Sequence, residues 1–216
     1  MAAILPALLS CGEMFEDMPP INAAIEMSFD RHGMTLMEGD SCRIHLCFTP
    51  DSVSNASAYW WAEYPERVIL RNNGTVVGNS AGTTNVMAIS LSSHTSDTCK
   101  VNVLSRWITE CIPSLPYDMV IYASVTIDGQ PITASQTIAA YSGTELRGVS
   151  TFRTEHGIDY VRLRIYSPYP EGEKITLYYY DKENYRVISA SESLTFSEST
   201  LGTLSALHPI IFDSQK

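Results

Sequence analysis

The chain has 216 residues, with 24 Asp and Glu against 14 Lys and Arg, a formal charge of -10 and 44% apolar residues. That balance suits a globular protein and argues against an electrostatic grip on nucleic acid or on anionic lipid. No apolar run approaches the ~20 residues of a membrane-spanning helix, and 12 tyrosines among many Ser, Thr and Val favour strands.

The first ten residues, MAAILPALLS, are apolar and lead into Cys11-Gly12. An acidic, Pro-containing stretch with Glu13, Glu16, Asp17, Pro19 and Pro20 follows, as suits an extended tether. Leu8-Leu9-Ser10-Cys11-Gly12 resembles a bacterial lipobox, in which a small residue precedes a cysteine that is lipidated. The resemblance implies lipidation at Cys11, with residues 1–23 as a truncated lipoprotein signal and tether. Acidic residues after such a cysteine also resemble the signal that sends some Gram-negative lipoproteins to the cell surface. No Lys or Arg precedes the apolar run, which is short for a signal core of ~7–15 residues. The alternative is an apolar N-terminus with an incidental cysteine.

Residues 24–104 read as a first β module. Cys42, Ile44, Leu46 and Phe48 alternate with Arg43, His45 and Cys47, the period of a half-buried strand. Ala58 and Trp60 face one way, with Tyr59 and Trp61 opposite, and Pro65 breaks the chain before Val68-Ile69-Leu70. Asn72-Asn73-Gly74 then predicts a tight Asn-Gly hairpin turn, because both residues of that pair tolerate positive φ. A second turn at Gly82-Thr83 and an alternating strand at Cys99-Lys100-Val101-Asn102-Val103 complete the pattern of an antiparallel sandwich.

Gly39, Pro50, Trp60, Pro65, Asn73-Gly74, Gly82-Thr83 and Val101-Asn102-Val103, in that order, resemble the bacterial Ig-like domain of group 2. The resemblance implies a surface module of the kind found in adhesins and cell-wall proteins, with Trp60 as the core tryptophan. Tyr59, Trp61 and Tyr64 would then point outward as a possible ligand surface. Exposed aromatics stack on sugar rings or anchor protein contacts; the other reading packs them against a neighbouring domain.

Cys42, Cys47, Cys99 and Cys111 remain once Cys11 is set aside. Four cysteines allow three full pairings. A bridge from Cys42 to Cys99 would stabilise by about 4 kcal/mol in the chain-entropy model; buried free thiols are the alternative. Metal binding is weaker, because Cys42 and Cys47 fall on opposite faces of one strand and no CxxC or HxxxH occurs.

Residues 105–216 read as a second all-β module, entered through Trp107-Ile108 and Pro113-Ser114-Leu115-Pro116. A strand from Met119 to Ile127 runs into an Asp128-Gly129 turn. Val161, Leu163 and Ile165 alternate with Arg162, Arg164 and Tyr166; Ile175, Leu177 and Tyr179 alternate with Thr176, Tyr178 and Tyr180; Leu194-Thr195-Phe196 follows. Ala139-Ala140-Tyr141, Arg147-Gly148-Val149, Tyr160, Gly172-Glu173-Lys174-Ile175-Thr176, Thr195-Phe196, Gly202 and Pro209-Ile210-Ile211 resemble a C-terminal Ig-like module of large bacterial surface proteins. That module carries no established activity.

No GxSxG, HExxH, P-loop or GxGxxG appears, and His32, His45, His94, His156 and His208 are scattered. Glu171 and Glu173 read as solvated charges at a turn, although an i, i+2 pair can mimic an acid/base pair. Arg162 and Arg164 could bind an anion or pair with acidic side chains. Asp51-Ser52-Val53 resembles a bacterial O-glycosylation sequon.

The whole points to an all-β chain of two tandem Ig-like antiparallel β-sandwiches. It reads as a non-enzymatic, lipid-anchored surface protein for cell adhesion or for binding a host or bacterial glycan or protein, with no cofactor, no metal and no nucleic acid. The alternative is a structural spacer or accessory subunit of a surface assembly, for glycan uptake or fimbriae.

Overall fold

Strands with one apolar face in two build the whole fold. The computed structural model describes residues 26–49, 58–91, 93–108, 112–181, 184 and 186–214. Cys11, the acidic tether, Pro50, the Asp51-Ser52-Val53 tripeptide and Cys111 lie outside these residues. No helix among the described residues is long and apolar enough to cross a membrane.

The first set of strands is β1 (Glu26–Phe29), β2 (Gly33–Met37), β3 (Ser41–Arg43), β4 (Leu46–Thr49), β5 (Ala58–Ala62), β6 (Val68–Leu70), β7 (Thr75–Gly78), β8 (Gly82–Ser90) and β9 (Ser96–Leu104). β1 pairs with β4, and β3-β7-β6 continue that layer; β2-β9-β8-β5 form the other. With β3 and β4 taken as one interrupted strand, the first layer is the A-B-E-D sheet of an immunoglobulin sandwich. The second holds its C, F and G strands. The interruption falls at Ile44-His45, where Ile44 is buried and its N–H bonds the Gly74 carbonyl at 2.9 Å instead of a ladder partner. Phe29, Ile44, Val76, Val86, Val101 and Val103 fill the space between the layers.

The second set is β10 (Tyr117–Ile127), β11 (Gln130–Pro131), β12 (Ile138–Ser142), β13 (Glu145–Val149), β14 (Thr151–Glu155), β15 (Ile158–Ser167), β16 (Glu171–Asp181), β17 (Arg186–Ser189), β18 (Leu194–Ser197), β19 (Thr200–Leu201) and β20 (His208–Phe212). One layer runs β11-β10-β15-β14 with β19 and β20 beside β10; the other runs β13-β12-β16-β17 with β18 beside β16. Ile121, Leu163, Ile165, Leu177, Phe196 and Phe212, each under 2% exposed, pack between them. Two tandem sandwiches are therefore present, and every sheet takes its strands from one side of residues 105–116 or the other.

Most pairings are antiparallel, as the alternating segments predict. Among the described residues three are parallel: β2 with β9, and β10 with both β19 and β20. Pairings between strands so far apart in sequence leave no local signature.

The Asp128-Gly129 and Asn73-Gly74 turns fall where the sequence places them, in two forms. Asp128 (φ 49°) and Gly129 (φ 77°) form the two-residue turn expected between β10 and β11. His156 (φ 52°) and Gly157 (φ 78°) do the same between β14 and β15, the geometry of a type I′ hairpin. Asn73-Gly74 does not. Gly74 alone takes positive φ, at 80°. The bonds Gly74 N–H to Arg71 O (3.0 Å) and Arg71 N–H to Thr75 O (2.9 Å) close a three-residue loop, a type I turn completed by a left-handed glycine. A Cβ on Gly74 would stand 2.3 Å from the Ile44 carbonyl oxygen, so close backbone approach fixes this glycine as much as the turn does.

The two sandwiches meet over the outer face of β12 and β16. Leu104, Ala139, Tyr141 and Leu146 are buried together there, with Trp107 and Tyr178 packed against them. Tyr141, wholly buried, donates its hydroxyl to the Ser105 carbonyl at 2.5 Å.

Candidate functional site

β5 lies at the edge of β2-β9-β8-β5 and carries the expected aromatics. Alternation turns Trp60 inward, its ring centroid 5.2 Å from that of Phe29, and turns Tyr59 and Trp61 outward. Trp60 is only half-buried. An edge strand supplies neighbours on one side alone, so the tryptophan expected at the centre of the core caps its rim.

Tyr59 and Trp61 stack, with centroids 6.0 Å apart and planes 24° off parallel. Tyr59 is 62% exposed, and Trp61 is half-buried. Directly across the ladder stand Ile89 and Met87 on β8, so the outward face at this edge is a four-residue apolar strip. Glu63 and Asn85 close one end through a 2.8 Å hydrogen bond. Tyr64, 48% exposed, sits in the following turn with its N–H on Thr84 Oγ1 at 2.9 Å. It makes no ring contact with the stacked pair. The strand thus brings two of the three expected residues together and leaves the third apart.

A cleft of about 750 Å³ opens beside the junction of the sandwiches, between Met37 and Trp107 on one side and Tyr179, Tyr180 and Gln136 on the other. Trp107 meets Tyr180 edge-on at 6.1 Å. Gln136 Nε2 donates to the Tyr179 hydroxyl at 3.2 Å. No local pattern announces this cleft, because its walls come from segments remote from one another along the chain.

Glu173 is not the solvated charge expected. Arg147 donates to Glu173 Oε1 through Nη2 at 3.0 Å and Nε at 3.2 Å, with the two side chains only 8% and 10% exposed. The Arg147 Nη1 group also reaches Glu145, at 2.8 Å. Burial pushes the Glu173 carboxyl up, but the Arg147 guanidinium outweighs it and holds the group below its ordinary range. Gly172 lies inside β16, where the register with β18 shifts between Glu171 and Lys174, and Glu173 is a strand residue whose side chain meets Arg147 of β13. Arg-Gly-Val and Gly-Glu-x-Ile-Thr are therefore two halves of one structural contact. Between them, Gly148 lies so close to β15 that a Cβ would stand 2.2 Å from the Arg164 carbonyl oxygen.

The histidines also gain carboxylate neighbours that the sequence did not reveal. His45 Nδ1 lies 3.2 Å from Asp30, and His32 Nε2 lies 3.1 Å from Asp97. Burial raises the Asp30 carboxyl, yet the His45 backbone N–H, Arg31 and the His45 ring together lower it to about 2. Burial likewise raises Asp97, and the Phe29 and Thr98 backbone N–H groups bring it below its usual range. These contacts fasten the β1–β2 turn to β4 and β9. Among the described residues, no group of three His, Cys, Asp or Glu is placed to hold a metal ion.

Cys42, Cys47 and Cys99 are free thiols, so the Cys42–Cys99 bridge is not made. The two residues belong to different layers. Burial pushes the Cys99 thiol up to about 11. Of the paired arginines, Arg164 is held by Asp118 through two bonds of 2.9 and 3.0 Å; Arg162 stands exposed on the same face.

No family model and no curated protein matches the chain. Solved structures with some likeness include the surface layer protein SbsC, domains 1-6, at 14% identity and TM-score 0.31, covering 80% of this chain and 25% of that one. PcdhgB3 EC1-4 is similar at 13% identity and TM-score 0.32, covering 88% of this chain and 50% of that one. Titin Ig tandem domains A164-A165 are similar at 9% identity and TM-score 0.24, covering 87% and 97%. The chain thus spans about a quarter of the solved S-layer chain of domains 1-6. At these scores the likenesses carry no functional argument, and the fold rests on the chain's own sheets.

Proposed function

We propose that the protein is a non-enzymatic binding module displayed at a cell surface, with 24–104 and 105–216 as its two domains. It contacts a glycan or a protein through the outward face of β5. The observation that carries this reading is the stacked Tyr59–Trp61 pair, on the outward face of an edge strand and continued by Met87 and Ile89. Paired rings in this arrangement give a flat apolar platform at small entropic cost. The lipobox-like Cys11 and its acidic tether support attachment to the outer membrane of a Gram-negative cell.

Binding of the whole chain to an arrayed set of surface glycans, beside Trp61→Ala, tests the contact. Truncating a central aromatic anchor removes roughly 2 kcal/mol, about 30-fold in affinity. Equal signals from wild type and Trp61→Ala would sink this contact surface. Palmitate labelling of the expressing cell tests the anchor: labelling that persists in Cys11→Ala rules it out.

A second reading is favoured by the packed junction. Leu104, Tyr141 and the Tyr141–Ser105 hydrogen bond tie the sandwiches together, which supports a stiff spacer or accessory subunit within a larger assembly. A blank array favours this reading.

A further inference from the structure

The outer face of the β10-β15-β14 sheet carries a groove distinct from the β5 face and from the cleft at the junction. The register sets its contents. Arg162 stands opposite Tyr122 on one side and Thr151 on the other. Two pairs further along, and so on the same face, Arg153 stands opposite Tyr160. Directly opposed residues share a face, so Arg153, Arg162, Tyr122 and Tyr160 all project outward together. The Tyr122 and Tyr160 rings lie 5.7 Å apart between centroids.

The 200–204 segment forms the facing wall, and the groove between holds about 650 Å³. Gly202 takes φ 73°, and a Cβ there would stand 2.4 Å from the Tyr122 carbonyl oxygen. Only glycine lets this wall close onto β10, and it places Thr200 and Thr203 along the groove.

Charge then selects the ligand. In a chain of net charge -10, Arg31, Arg67, Arg147, Arg164 and Arg186 each have a carboxylate within 4.0 Å. Arg43, Arg71, Arg106, Arg153 and Arg162 have no carboxylate partner among the described residues, and of these Arg153 and Arg162 line the groove. The acidic side chain lining the groove, Glu155, accepts the Tyr160 hydroxyl at 3.1 Å and has His156 Nδ1 at 3.9 Å. Two guanidinium groups thus face the groove against one carboxylate that is already engaged.

We infer that this groove binds an acidic saccharide, its carboxylate taken by Arg153 and Arg162 and its ring lying against Tyr122 with Thr200 and Thr203 beside its hydroxyls. Guanidinium forks suit a carboxylate's paired oxygens. The space far exceeds that of a bare ion, and hydroxyl and aromatic walls suit a sugar better than an apolar acid. This site lies on the second sandwich and stands whether or not the β5 face binds anything.

The test uses the whole chain, titrated with sodium glucuronate, glucose and acetate while the Arg side-chain Nε–H resonances are followed by NMR. Glucuronate should shift Arg153 and Arg162 at lower concentration than either control. Arg162→Gln and Arg153→Gln should each weaken it about tenfold or more, whereas Trp61→Ala should leave it unchanged. Unaltered glucuronate binding in both arginine variants overturns the assignment. Acetate binding as well as glucuronate also overturns it, leaving an oxyanion site without a saccharide. Both arginines are exposed, so the variants are expected to fold, and an unchanged amide spectrum away from the groove verifies it.

Discussion

Replacing Glu173 by Gln should cost the second sandwich much of its stability. Removing one partner of a buried ion pair leaves an uncompensated charge, at about 3–5 kcal/mol. Here Arg147 keeps Glu145 at 2.8 Å, but that side chain is 71% exposed, and exposed pairs return only about 0–1 kcal/mol. The expected net loss is therefore about 2–4 kcal/mol. With urea slopes of about 1–3 kcal/mol/M, the midpoint falls by roughly 1–2 M. Urea unfolding followed by far- and near-ultraviolet circular dichroism reads this out. The double variant Arg147→Met with Glu173→Leu should recover most of the loss, because a packed apolar pair often replaces a buried ion pair without penalty. A midpoint within about 0.3 M of wild type for Glu173→Gln, on those same slopes, would refute the reasoning. So would a double variant no better than the single one.

Three further outcomes are expected. The Asp30 carboxyl is lowered from 3.8 to about 2 in the folded chain, so its contribution is present above pH 3.8 and is lost as pH falls through about 2; urea midpoints at pH 7, 4 and 2 should drop most over the last interval, and Asp30→Asn should flatten that drop. Gly148→Ala forces a Cβ to within 2.2 Å of the Arg164 carbonyl oxygen, so the sheets must part and the thermal midpoint of the second sandwich should fall, by the ~1–3 kcal/mol of an overpacked core or more. With its thiol pushed up to about 11 and fully buried, Cys99 should resist a thiol reagent at pH 8 in the native state. Exposed Cys47 should react at once, and rapid labelling of Cys99 would contradict the packing.

The fold was legible where burial alternates along a single strand. Val101 and Val103 on β9, or Leu163 and Ile165 on β15, announce their inward face locally, and Asp128-Gly129 announces its turn. What stayed hidden depends on which strands meet. Arg147 and Glu173 are 26 residues apart, and only the pairing of β12 with both β13 and β16 brings them together. Asn73-Gly74 does turn the chain between β6 and β7, but the three-residue form of the loop and the Ile44 backbone passing beside the glycine are things a two-residue motif cannot convey. Of the expected aromatic site, alternation alone placed Tyr59 and Trp61 on one face. Tyr64 follows the strand's end, where periodicity has no say. Arg162 was noticed beside Arg164 because they are two apart, yet its groove partner is Arg153, from the neighbouring strand.

The parallel pairings of β2 with β9 and of β10 with β20 have a mechanical consequence. In each sandwich an early strand lies alongside the last one and runs the same way, over five residue pairs. Pulling the two ends of such a unit slides these strands past each other, so the cross-strand hydrogen bonds share the load and must rupture together. A hairpin pulled apart from its open end instead loses them singly. Once β1 peels from β4, both sandwiches present this shear arrangement in series. Resistance to such a pull therefore resides in these two five-pair parallel ladders.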